Sequence, residues 1–275
     1  MARILIQTTI PTTEDDWHVG RFSLLAGHLR SLGHEVTARD RQAGEDPVLI
    51  ALDRSDFDQL WLFAVDVGDG LSAAEGEAVA RFRARGGGVL ATRDHQDLGS
   101  SLLALGELGR AHHFHSRNPE PDPARCCRDD QETTYIDWPN YHSGANGEVQ
   151  AVGVAAAGHP LLDDGAGGTI AWLPAHPHEG AISAPPDAPG AQVVATGVSA
   201  ASGAVFNLIV AFEAPGQGRA VAQSTFHHFC DYNLDPRLGC PSFVSEAPSD
   251  AIVRDPAGRT SAERYFRNLA AWLSA

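Results

Sequence analysis

Along the first hundred positions, hydrophobic residues switch between two spacings. The run RILIQTTI (3–10) is short and apolar, which predicts a strand. Within DWHVGRFSLLAGHLRSLG (16–33), Phe22, Leu25, Leu29 and Leu32 recur at steps of three and four before Gly33, which predicts an amphipathic helix. HEVTARDR (34–41) predicts a second strand, and FDQLWLFAV (57–65) a third, apolar enough to be covered on both faces. Ser72 and Glu75 have capping-box spacing ahead of a helix that continues through Ala78, Val79 and Phe82 and stops at Gly86. GGGVLATRDH (86–95) predicts a fourth strand. Repeated strand–helix alternation implies an α/β fold: a doubly wound, mostly parallel sheet with right-handed crossovers.

Between His112 and Asn146 the periodicity is lost. This stretch is rich in Pro, Asp and Asn, and its length marks it as an inserted, lid-like loop (112–146), with Tyr135, Trp138 and Tyr141 giving it something to pack. Strand-like runs then return at 148–152, 169–176, 192–198, 204–213 and 218–229. At the C-terminus, 260–275 predicts a helix capped by Thr260 and Glu263, with Leu269, Trp272 and Leu273 packed on the sheet. Without a repeat or a linker, residues 1–275 read as a single α/β domain.

The chain carries a net charge of −15, which argues against nucleic acid or an anionic membrane as partner. All 20 basic residues are arginine, so chemistry that needs a lysine is excluded, Schiff bases and P-loops among it. Neither a secretory signal nor a membrane-length apolar run is visible, so a cytoplasmic protein is expected. The four cysteines, Cys126, Cys127, Cys230 and Cys240, lack zinc-ribbon spacing and suit a reducing compartment, the vicinal pair reading as loop thiols. The expected partner is a small-molecule substrate, with a homodimer permitted.

Histidine carries more information. Of 13, nine bunch at 95, 112, 113, 115, 142, 176, 178, 227 and 228. Two groups fall where strands should end, TRDHQD (92–97) and FHHFCD (226–231), and in such sheets ligands bind beyond the carboxyl ends of the strands. His95, His113, His115, His176, His178 and His228 are candidate ligands of a divalent metal, zinc or iron(II), since two imidazoles and a carboxylate can hold either. His113 and His115 would share a face of an extended segment, as would His176 and His178. His227, Asp94 and Glu179 are the candidate catalytic groups, with Asp94 or Asp231 able to pair with His227. Asn140, His142 and Asn146, in WPNYHSGANG (138–147), together with Arg93 and Asp66, are candidate substrate contacts.

Four segments also resemble the class I glutamine amidotransferase-like superfamily, and within it the trehalose-utilisation (ThuA-like) branch. They are LSAAEGEAVARFRARGGGVLAT (71–92), GHPLL (158–162), LPAHPHEGAI (173–182) and GRAVAQSTFHHF (218–229). The resemblance implies a flavodoxin-like sheet and a histidine base on a later strand, often within Gln-Phe-His, to which Gln223 and the Phe226-His227 pair correspond. It also implies a nucleophilic cysteine after the GGG strand, where this chain reads Thr92-Arg93-Asp94-His95. Thiol-based glutamine hydrolysis is therefore not expected, and ThuA-like proteins also lack that cysteine. The expectation is a metal-assisted hydrolase or lyase acting on a small polar, sugar-like or amide substrate. The alternatives are a metal-free His/Asp hydrolase and a non-catalytic binding module.

Overall fold

A computed structural model of the protein describes the chain except residues 15, 127, 128 and 131–135, so Cys127 and Tyr135 lie outside the described residues. Among the described residues the strands, in chain order, are β1 (Arg3–Thr8), β2 (Glu35–Arg39), β3 (Gln59–Phe63), β4 (Gly88–Thr92), β5 (His112–His113), β6 (Val149–Ala151), β7 (Gly153–Val154), β8 (Trp172–Pro174), β9 (Ala181–Ile182), β10 (Ala191–Val198), β11 (Val205–Phe212) and β12 (Ala220–Gln223). Eight of them form one sheet in the order β2-β1-β3-β4-β12-β11-β10-β7. The first five run parallel. Strands β11, β10 and β7 extend the sheet antiparallel. The architecture is α/β and flavodoxin-like, as the strand–helix alternation implies.

Alternation within each parallel strand fills two layers. Ile4, Ile6, Trp61, Phe63, Leu90 and Val221 pack on one side with Phe22, Leu25, Leu29, Phe266 and Leu269. Leu5, Leu60, Leu62, Val89, Ala91 and Ala222 pack on the other with Val79, Phe82, Leu102 and Leu108. Successive side chains point to opposite faces, so a strand covered on both sides must be apolar throughout.

The helix Ala73–Ala84 has both halves of its capping box, and Gly86 follows it at φ +99°, a conformation that a side chain disfavours. The C-terminal helix differs from expectation. It spans Ala257–Leu273 and starts after Pro256, whose fixed φ suits a helix start, so Thr260 lies inside it and caps nothing. Glu263 pairs with Arg259 at 2.9 Å instead.

Two segments expected to be strands leave the main sheet. Among the described residues strands β6 and β8 pair only with each other, and Ser261 of the C-terminal helix bonds Trp172 N and O at the outer edge of β8. Within 112–146, β5 pairs with β9, and Tyr141 stacks on Phe206 with ring centroids 4.7 Å apart.

What positions the site is register. Gln223 pairs with Thr92 at the carboxyl ends of β12 and β4, so the loops carrying Asp94 and His227 leave the sheet side by side. His176 follows β8 by two residues and reaches the same place.

Candidate active site

Asp94, His176 and His227 offer one ligand atom each, all within 4.8 Å of one another and all buried. Asp94 Oδ1 lies 3.6 Å from His176 Nε2 and 3.6 Å from His227 Nε2. These separations exceed a hydrogen bond. They fit a shared ion: two ligands about 2.0–2.1 Å from a tetrahedral zinc lie about 3.4 Å apart.

The state of each imidazole follows from one main-chain carbonyl. Asn233 Nδ2 donates to Ala175 O at 3.0 Å, which fixes that amide, and also to Asn146 Oδ1 at 2.8 Å, which fixes the next. Asn146 Oδ1 then accepts from His176 Nδ1 at 2.8 Å, and Asn233 Oδ1 from His227 Nδ1 at 3.1 Å, with Tyr232 OH 2.9 Å from the same nitrogen. Both rings therefore carry their proton on Nδ1 and turn an Nε2 lone pair toward Asp94. Burial pushes His176 well below the usual imidazole range, so it stays neutral. Burial by itself would raise the Asp94 carboxyl, but the neighbouring His95 holds it well below the carboxylate range. His176 Nε2 and Asp94 Oδ1 have no hydrogen-bond partner among the described residues. Three electron-rich atoms facing one another across a gap are costly unless a cation or a proton sits between them.

A cavity of about 280 Å³ opens onto these atoms. His95 is on its wall, Nδ1 3.3 Å from Asp94 Oδ2, its ring 5.3 Å from that of His178. His178 bonds Asn140 Oδ1 at 3.2 Å and Glu246 at 2.9 Å. Leu98, Ile136, Phe243 and Val244 supply the apolar wall.

Other candidates lie elsewhere, for identifiable reasons. Glu179 and His228 are fully buried and face each other at 3.4 Å. Glu179 also accepts from Ser143, Gln150 and Ser224, so its oxygens are spent within the protein. Arg93 is buried as well. Its guanidinium donates to the carbonyls of Asp94, Gln96 and His113 and lies 4.1 Å above the Phe114 ring. Desolvation lowers its pKa to about 9. It staples the loop after β4 to the insertion and does not line the cavity. Asp66 accepts from Gly68 N, Ser101 N and Ser101 Oγ. Asp231 accepts from Ser23 and Leu24 at the start of the helix Ser23–Ser31, not from His227. His113 bonds Ser183 and Asn118, and exposed His115 bonds Trp138 O. Half-buried His142 has Nδ1 without a hydrogen-bond partner among the described residues and is not on the cavity wall. Asn140 and Asn146 reach the site only through His178 and His176.

The sequence does not single out Tyr232, Asn233 or Glu246 as site residues. The first two follow FHHFC directly, but an asparagine that orients an imidazole looks in sequence like one that caps a turn. Glu246 sits in a Pro/Ser-rich stretch with no signal.

No family model and no curated protein sequence matches the chain. Solved structures similar to it include the glutaminase domain of Trypanosoma brucei CTPS with bound acivicin (13% identity, 100% of this chain and 97% of that one, TM-score 0.49). Two putative ThuA-like proteins are also similar, one from Bacteroides uniformis (11% identity, 98% and 91%, TM-score 0.42) and one from Parabacteroides merdae (13%, 90% and 95%, TM-score 0.44). Strand order and register carry the fold assignment. No helix among the described residues is long and apolar enough to cross a membrane.

Proposed function

We propose that Asp94, His176 and His227 hold a divalent cation, zinc or iron(II), and that the protein is a metal-assisted hydrolase or lyase acting on a small polar molecule. Supporting this reading is the amide chain from Ala175 O through Asn233 and Asn146, which leaves the Nε2 of each ring unprotonated and 3.6 Å from one carboxylate oxygen. Metal-binding histidines commonly donate their other ring N–H to an oxygen that fixes the tautomer, as both do here. An ion in that position polarises a carbonyl or lowers the pKa of water.

The surrounding residues have separate tasks. Asn146 and Asn233 keep the two rings oriented. His178 and Glu246, bonded to each other on the cavity wall, are placed to take up and return a proton. Phe243, Val244, Leu98 and Ile136 limit water around the reacting group.

The 3.3 Å approach of His95 to Asp94 favours a second reading, a metal-free acid–base pair in the same cavity. Elemental analysis of untagged protein separates the two, followed by assay on a panel of small esters, amides and lactones with and without chelator. The metal reading requires about one zinc or iron per chain, lost in Asp94→Asn, and activity that disappears on chelation and returns with the ion. Full activity in metal-free protein would overturn it.

A further inference from the structure

We infer a second reactive centre, independent of the first: Ser183 is a nucleophile activated by His113, in a pocket that takes a small uncharged acyl ester. Pairing of β5 with β9 sets His113 opposite Ala181 and so brings Ser183, the next residue after β9, against its ring. His113 Nδ1 lies 3.0 Å from Asn118 O. A carbonyl only accepts, so Nδ1 carries the proton and Nε2 presents its lone pair. Ser183 Oγ is 2.6 Å from that Nε2 and donates to it. This is the arrangement of an activated serine: nucleophile bonded to base, and base oriented by a third group. Burial pushes the ring below its ordinary pKa, which keeps it in the accepting form. Glu120 Oε2, 3.7 Å from the same nitrogen, is placed to stabilise the imidazolium once it forms.

Ser183 is half-buried and opens onto a cavity of about 310 Å³ whose walls include Pro119, Pro121, Pro185 and Pro186, with Arg110 and Asp187 also lining it. Four prolines give a rigid, mostly apolar slot, and Arg110 is already paired with Asp187 at 3.0 Å. A small acyl group without charge fits that chemistry better than a carboxylate or a phosphate. In the step, Ser183 Oγ bonds to the acyl carbon while its proton passes to His113 Nε2. The carbon–alkoxide bond then breaks and the leaving alcohol takes that proton. Water repeats the sequence to free the acid and restore the serine.

The test uses the full-length protein and an alkyl fluorophosphonate, whose phosphorus Ser183 Oγ would attack with loss of fluoride. Intact mass should show one adduct, and peptide mapping should place it on Ser183. Ser183→Ala should abolish the adduct, His113→Gln should slow labelling at least tenfold, and chelator should change neither. General bases of this kind contribute about 10²–10⁴-fold. The labelling rate of His113→Gln is read on protein whose far-UV circular dichroism spectrum and urea midpoint match the wild type, so a fold defect is not taken for a lost base. Failure of the folded wild type to label, an adduct mapped to another residue, or equal rates in His113→Gln would each overturn the assignment. None of these outcomes bears on the metal at Asp94.

Discussion

His227 and His228 are adjacent in the chain, yet they belong to two buried polar clusters of opposite character. His228 joins Glu179, Ser143, Ser224 and Gln150 in a network where the Glu179 oxygens are met by protein donors. His227 joins Asp94 and His176, where the facing atoms stay 3.6 Å apart and a cavity begins. Both clusters are buried and both hold a carboxylate beside imidazole. What separates them is where the unused atoms lie: one cluster uses up its hydrogen-bonding capacity internally, the other leaves atoms of three side chains facing a common gap at the cavity. Composition and burial do not distinguish a site from a scaffold, whereas the destination of each lone pair does.

Substituting the two neighbours separately gives the largest contrast. His227→Ala should lose the bound metal and reduce activity by at least about 10³-fold, while the apoprotein unfolds in urea close to the wild-type midpoint. His228→Ala and Glu179→Ala should keep metal in the folded fraction but destabilise, since removing one member of a buried charged network costs about 3–5 kcal/mol. Metal content by elemental analysis and urea denaturation would be read on the same preparations. Loss of metal in Glu179→Ala without loss of stability would collapse the distinction between the clusters.

The next effect down concerns the ring holders. Asn233→Ala removes the acceptor for His227 Nδ1 and the donor that orients Asn146. Metal affinity, measured by competition with a chromophoric chelator, should fall about 10–100-fold with the ligands still in place. An unchanged affinity would mean that the tautomers are fixed by something other than the amide chain.

Much of the fold could be read from spacing because period-2 and period-3.6 patterns report burial directly. FDQLWLFAV and the Ser72–Glu75 box behave as local physics dictates. Thr260 and Glu263 have capping-box spacing, but Pro256 sets the helix start upstream of them. The site was half legible. Asp94 and His227 each follow a parallel strand, so their convergence could be inferred from topology. His176 and His178 were visible as a pair but not as separate roles, one facing Asp94 and one facing Glu246. Glu179 and Arg93 looked reactive in sequence because a list of residues cannot show which donors and acceptors they meet. Asn233 was hidden for the same reason, and Glu246 because 68 residues separate it from His178.

The smallest predicted effect tests a third kind of buried imidazole, one with no hydrogen-bond partner among the described residues. His112 is fully buried beside Phe114, and neither ring nitrogen has a hydrogen-bond partner among the described residues. Burial first, then Arg93 and His113, pushes its pKa well below the ordinary value. In the unfolded chain the ring binds a proton near pH 6.5, and in the folded protein it does not. The unfolded state therefore holds more protons below that pH, and stability must fall as the solution is acidified from about pH 6.5. The linkage for one histidine approaches about 1.4 kcal/mol per pH unit. His112→Phe keeps the stacking shape and removes the proton site. Urea unfolding free energies of wild type and variant at pH 7.5, 6 and 5 should then diverge, the variant losing less stability on acidification. His176 contributes equally to both and cancels in the difference. Parallel curves would mean that His112 takes up its proton in the folded state. An imidazole without partners would then tolerate charge, and the contrast between closed and open clusters would lose its physical basis.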